Sequence, residues 1–186
     1  MGSHFKKREP FYAERDEEKR KKFDLEMSEI SSDTDICYID ECGINKHMSR
    51  EYGRAPKEIR VYLPSPGRKF KRLNIVAGLV GKKVIGRVNY DWNTTGAWFS
   101  VWFEWFLCPL LKAGTVIVMD NASFHSKKKL NSIAKLYKCR IIWLPPYSPD
   151  KNPIEKFWAN LKNWLRLHSK NYQSIQDAVE AYFKSE

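Results

Sequence analysis

Residues 115–158 constrain the fold more than any other stretch of the chain. The run T-V-I-V-M at 115–119 is continuously apolar, as in a central strand covered on both faces. Asp120-Asn121 ends it. Ser123 or Ser126 can cap a helix over 127–137, whose buried face is read as Leu130, Ile133, Leu136 and Tyr137. Residues 140–144 form the next strand. Strand, helix and strand in that order predict a right-handed crossover between parallel neighbours. The prolines of P-P-Y-S-P-D-K-N-P then stiffen a loop, because each fixes its own φ. Asn152 is expected to cap the following helix and Pro153 to open it. Ile154, Phe157, Trp158, Leu161 and Leu165 make its apolar stripe, with Glu155, Ala159, Lys162 and Arg166 on an adjacent one.

Upstream, D-I-C-Y-I-D at 35–40 reads as a short buried strand, with Gly43 allowing a turn. Alternation points Asp40 and Glu41 to opposite faces, so only one of them enters a given site easily. The apolar segments 73–80 and 84–90, joined by Gly81-Lys82-Lys83, read as a hairpin. Asn93-Thr94-Thr95 offers a cap for a helix over 95–111 that is apolar all round, with Glu104 its only charge. Such a helix should be covered on most sides, by the core or through self-association. It is too short, and too interrupted by Glu104 and Pro109, to span a membrane. A last helix is expected over 174–183. Residues 1–34 are read as a tag remnant (Met-Gly-Ser-His) and a charged lead-in helix, and 35–186 as the main folded domain.

The net charge of +11 points to a polyanionic partner. Basic residues concentrate in two places. Residues 50–72 carry Arg54, Lys57, Lys69, Lys71 and Arg72 among others, on a Pro- and Gly-rich loop. Between Asn121 and Pro149 there is no acidic residue, and Lys127, Lys128 and Lys129 open the helix there. With Lys162 and Arg166, these are the expected DNA-phosphate contacts. Cys37, Cys42, Cys108 and Cys139 lack the spacing of a zinc or disulfide framework and read as small core residues in a reducing compartment.

Three carboxylates remain: Asp40 and Asp120 at strand ends, and Glu155 in the first turn of a helix. Each has an ordinary explanation, as a turn former or as half of a capping box. Together they could hold hard divalent cations, which prefer oxygen ligands. Two such ions stabilise both the attacking and the leaving oxygen of a phosphoryl displacement.

Y-I-D-E, V-M-D-N-A-S-F-H and L-P-P-Y-S-P-D-K-N-P-I-E-K-F-W-A-N-L-K resemble the catalytic core of mariner-superfamily transposases, in particular their bacterial insertion-sequence branch. Thirty-four residues separate Asp120 from Glu155, which matches that family's spacing. The resemblance implies an α/β, RNase H-like fold: a mixed five-stranded sheet flanked by helices. It implies Asp40, Asp120 and Glu155 as ligands of Mg²⁺ or Mn²⁺, two ions in all, with Asn121 and His125 as support or phosphate contacts. It further implies hydrolysis at transposon ends and strand transfer into double-stranded target DNA, usually at a TA step. A homodimer, a separate helix-turn-helix module and a bacterial cytoplasmic, nucleoid-associated location follow from the same resemblance. The alternatives are an RNase H-fold nuclease without strand transfer and an inactive, domesticated DNA-binding domain. Family members usually carry helix-turn-helix domains for which there is no room before Asp40, so a catalytic fragment, the second half of a split gene or a relic is expected.

Overall fold

A computed structural model describes residues 15–45 and 72–185. The expectations placed on Arg54, Lys57, Lys69 and Lys71 lie outside the described residues. Five strands form one sheet: β1 (Ile36–Asn45), β2 (Arg72–Val80), β3 (Lys83–Tyr90), β4 (Val116–Met119) and β5 (Arg140–Trp143). Their spatial order is β3-β2-β1-β4-β5. β2 pairs antiparallel with both β1 and β3; β4 and β5 run parallel to β1. This is the mixed five-stranded sheet of an RNase H-like fold, as the sequence implied.

Strand β1 is longer than expected. Gly43 does not turn the chain: the ladder with β2 runs from Cys37↔Val80 to Asn45↔Arg72. In this structure the Arg72 guanidinium lies over Gly43, in the space a side chain there would take. The hairpin from β2 to β3 forms as read, around Gly81 at φ +59°.

Helices cover both faces. One face carries α2 (Gly96–Trp102) and its continuation, then α3 (Lys127–Leu136), which connects β4 to β5. These pack Phe99, Trp102, Phe103, Leu107, Leu130 and Ile133 onto Cys37, Ile39, Ile117 and Met119. The opposite face carries α4 (Ile154–His168) and α5 (Ile175–Ser185), whose Ile154, Trp158, Leu161, Leu165 and Val179 cover Cys42, Ile44, Ile75 and Ala77. The charged helix α1 (Glu17–Ser28) lies over Val116, Val118, Ile142 and Leu144 through Phe23. Strand alternation thus gives odd residues of β1 to the α2 face and even ones to the α4 face. All four cysteines are free and buried, and burial pushes the Cys37 thiol up to about 12. Among the described residues no helix is long and apolar enough to cross a membrane.

Three local readings needed correction. The segment after Thr95 is not one α-helix: Phe103–Leu107 widens into a π turn and Cys108–Leu110 tightens into a 3₁₀ turn. Pro109 lacks the N–H that would continue an α ladder. Gly86, at φ +60°, lets this segment approach β3, where Leu107 lies against it and the Trp102 indole donates to the Gly86 carbonyl (2.7 Å). Nor is the segment covered all round, since Val101, Trp105, Phe106 and Leu110 are exposed. In α3, Leu136 is exposed and Ala134 takes its place, because Leu130, Ile133 and Ala134 keep the i, i+3, i+4 face.

Trp158, 1% exposed, fills the α4 side of the core. Replacing Trp158 by alanine should cost about 3–5 kcal/mol in chemical denaturation, whereas Leu136→Lys should stay within about 0.5 kcal/mol.

Candidate active site

Strand pairing sets the first two carboxylates. Tyr38 and Val118 are register partners on the parallel pair β1 and β4. Asp40 and Asp120 each lie two residues further on, so they share a face and a level at the end of β4. The third comes from α4, which packs on the same even-numbered face of β1. Asp40, Asp120 and Glu155 line one cavity of about 400 Å³, together with Asn121, Ala122, Asn152 and the loop 144–149. Glu41 points away, as alternation requires, into a separate cavity with Cys42, Arg72 and Asn74.

The three acids differ in environment. Asp40 is partly buried, while Asp120 and Glu155 are exposed. Burial, and then the nearby carboxylates of Glu155 and Asp120, holds the Asp40 carboxyl well above its ordinary range. Burial likewise pushes Glu41 up to about 7. Among the described residues no set of three such side chains stands already closed into a ligand cluster. The carboxylates instead face the cavity from separate walls, where the exposed pair can swing through their rotamers. An all-oxygen set around a carboxylate held against its neighbours' charge fits a hard divalent cation.

Two supporting side chains hold this arrangement. His125 is sealed in, its side chain 2% exposed, between the rings of Phe99 and Phe124. Its Nε2 meets Asp120 Oδ1 at 3.1 Å. So buried, the imidazole is turned to Asp120. Asn121 lines the cavity itself. Asn152 departs from its expected role as a cap. The side chain makes no capping bond to α4; its Nδ2 donates to the Ile39 carbonyl at 3.1 Å. It ties the approach to Glu155 directly to the residue before Asp40. Glu155 likewise makes no capping-box bond, which leaves its carboxylate free of that local explanation. The Asn152 contact spans 113 residues in sequence, and no local pattern announces it.

The basic residues within the described chain surround this end unevenly. Lys127, Lys128 and Lys129 are exposed in the first turn of α3, with Lys127 Nζ 4.9 Å from the Trp143 ring centroid. Lysines at the positive end of a helix dipole, without a side-chain cap, leave that end open to an anion. Arg72 is exposed at the start of β2. Lys162 is partly buried beside Cys42, and Arg166 hydrogen-bonds Asn163 at 2.7 Å.

Residues 35–177 match the model of the DDE superfamily endonucleases. The chain belongs to that family. A stretch of 56 residues is 34% identical to the Tc3 transposase of a Caenorhabditis elegans transposable element, covering 30% of this chain and 17% of that protein. All of the chain superposes on a pre-cleavage Mos1 transpososome, with a TM-score of 0.78 at 14% identity over 61% of that chain. The Mos1 mariner paired-end complex with Mg superposes with a TM-score of 0.70 at 15% identity, over 60% of that chain. At such identities the likeness is one of fold. The chain therefore spans about three-fifths of the Mos1 chains it matches. The mariner-type resemblance read from the sequence holds in the family match, in the Tc3 segment and in the fold of this DDE endonuclease.

A carboxyl whose protonation is favoured by folding adds stability at low pH, which is lost as the pH rises through its raised range. In EDTA, Asp40→Asn should therefore melt above the unsubstituted protein, and the gap should widen as the pH is raised from the ordinary aspartate range, about 4, toward neutrality. A rise of roughly 3 °C, about 1 kcal/mol in a chain of this size, is expected at the upper end by scanning calorimetry. His125→Phe keeps the packing between Phe99 and Phe124 but removes the Asp120 bond. Calorimetric titration with Mn²⁺ should then show affinity weakened by about 10–100-fold, with little change in melting temperature.

Proposed function

We propose that this chain is the catalytic domain of a DNA transposase, with Asp40, Asp120 and Glu155 as ligands for two Mg²⁺ or Mn²⁺ ions. The observation that carries the reading is the convergence of these carboxylates, from the middle of β1, the end of β4 and the first turn of α4, on a single cavity. Bound ions would activate the attacking oxygen and stabilise the leaving one during phosphodiester cleavage. The protein's own part is positional. Asp40 provides the rigid, partly buried oxygen, and His125 aims Asp120. Asn152 joins the entry of α4 to β1, so that Glu155 closes the site from the third side.

The substrate we infer is double-stranded DNA. Arg72, Lys127, Lys128, Lys129, Lys162 and Arg166 would neutralise its phosphates, which accords with a net charge of +11. Water would act first at a transposon end, and the freed 3′ hydroxyl would then attack target DNA at a TA step. Residues 35–186 would form the catalytic unit. A homodimer, helix-turn-helix reading of the transposon ends and a nucleoid-associated place in the bacterial cytoplasm complete the proposal.

Supercoiled plasmid and a pre-nicked oligonucleotide with a free 3′ end, each with Mn²⁺, test it. The plasmid should be nicked and the oligonucleotide joined to target DNA. Asp120→Ala and Glu155→Gln should each lower both rates by at least about 10³-fold without unfolding the protein, as expected for loss of groups acting as one unit. Nicking without joining would leave an RNase H-fold nuclease. Full activity of Glu155→Gln would remove Glu155 from the site.

A further inference from the structure

Helix α1 lies outside the segment 35–177 that matches the family, yet it grips the loop that leads to Glu155. Arg20 makes a two-toothed contact with Asp150, Nη2 to Oδ2 at 2.7 Å and Nη1 to Oδ1 at 3.1 Å. The same Nη1 donates to Ser148 Oγ at 2.7 Å. Arg15 donates from Nε to the Tyr147 carbonyl and from Nη2 to Asp150 Oδ1, both at 3.3 Å. Lys151 Nζ reaches back to both oxygens of Asp24 at 2.7 and 2.8 Å. Every residue from Tyr147 to Lys151 except Pro149 is thus held by α1 or by Arg15, two residues before it.

The gripped segment is also a wall of the catalytic cavity, through Tyr147, Ser148 and Pro149. It needs holding. Tyr147 sits at φ +52°, a conformation unfavourable for a residue with a Cβ. Ser148 is 4% exposed, and its hydroxyl accepts from Arg20 while donating to the Pro146 carbonyl at 3.1 Å. Immediately after the segment, Asn152 bonds the Ile39 carbonyl and α4 begins. Ion pairs on an open surface contribute little, but the Arg20 side chain is only 12% exposed and its planar fork matches a carboxylate. Consistent with that contact, the Asp150 carboxyl lies below its ordinary range, chiefly through the Arg20 hydrogen bond.

We propose that Arg20, assisted by Arg15, is a positioning residue for the active site: by pinning Ser148 and Asp150 it fixes where Glu155 enters the cavity, so docking of α1 is a condition for closing the metal site. The proposal rests on the reading of Glu155 as a metal ligand. Its consequence is that the catalytic unit, proposed above as 35–186, extends upstream to take in α1. The contacts of Arg20 and Arg15 named above run to the loop, so their effect on Glu155 passes through it.

The full chain is compared as unsubstituted protein, Arg20→Ala, Arg20→Lys and the exchanged pair Arg20→Asp with Asp150→Arg. Two quantities are read: amide hydrogen exchange across 147–155, and Mn²⁺ affinity by calorimetry. Arg20→Ala should speed exchange in that segment, leave the strands of the sheet protected and weaken Mn²⁺ binding by about ten-fold. Arg20→Lys should fall between, because a point charge cannot bridge Ser148 and both Asp150 oxygens, and the exchanged pair should recover part of the affinity. Unchanged exchange, or faster exchange with unchanged Mn²⁺ affinity, would overturn the positioning role. Absence of Mn²⁺ binding by the unsubstituted chain would instead sink the proposed function, and that result is visible before any variant is compared.

Discussion

The parallel pairing of β1 with β4 forces two carboxylates into each other's field: Asp40, midway along β1, and Asp120, just past the end of β4. Once Tyr38 pairs with Val118, Asp40 and Asp120 must project side by side from the sheet. Like charges brought together repel one another, less where solvent reaches them as at Asp120. Glu155 adds a third negative charge from α4. Nothing in folding favours this arrangement for its own sake. The cost is borne by the buried apolar layers on either side of the sheet, and it shows as an Asp40 carboxyl that resists losing its proton. Such frustration is expected where a site is built for a cation.

The rest of the architecture serves to keep the acids from relaxing away from one another. Beyond Met119 the β4 ladder stops, and the Asn152 amide takes the Ile39 carbonyl on β1. His125, clasped by Phe99 and Phe124, limits Asp120 although that residue is exposed. The apolar stripe of α4 seats Ile154 and Trp158 deep against β1 and β2, so Glu155 cannot retreat with its helix. Local rigidity of this kind is what positions groups for phosphoryl chemistry.

Much of this was legible in the sequence because it depends on periodicity. Five strands, the hairpin, the crossover helix and the stripe of α4 follow from alternation and from the 3.6-residue repeat. So does the opposition of Asp40 and Glu41. What could not be read depends on distant partners. Gly43 looks like a turn until β2 is seen to pair with β1 on through it. Asn152 has the local context of a cap, yet its side chain goes to a carbonyl in another element. The apolar helix after Thr95 gave no sign of its π turn, nor that Trp105 and Phe106 would stay exposed. In α1 the mixed charges read as a solvated face. Only the fold brings Arg20 onto Asp150, 130 residues away in sequence.

The most direct measurement replaces the divalent ion with Fe²⁺ and lets ascorbate and peroxide generate hydroxyl radicals at the bound metal. Peptide cleavage should then cluster in three separated segments, around Asp40, Asp120 and Glu155, and excess Mg²⁺ should suppress all three together. Cleavage confined to one of these segments, or located elsewhere in the chain, would contradict a single metal site built from the three carboxylates.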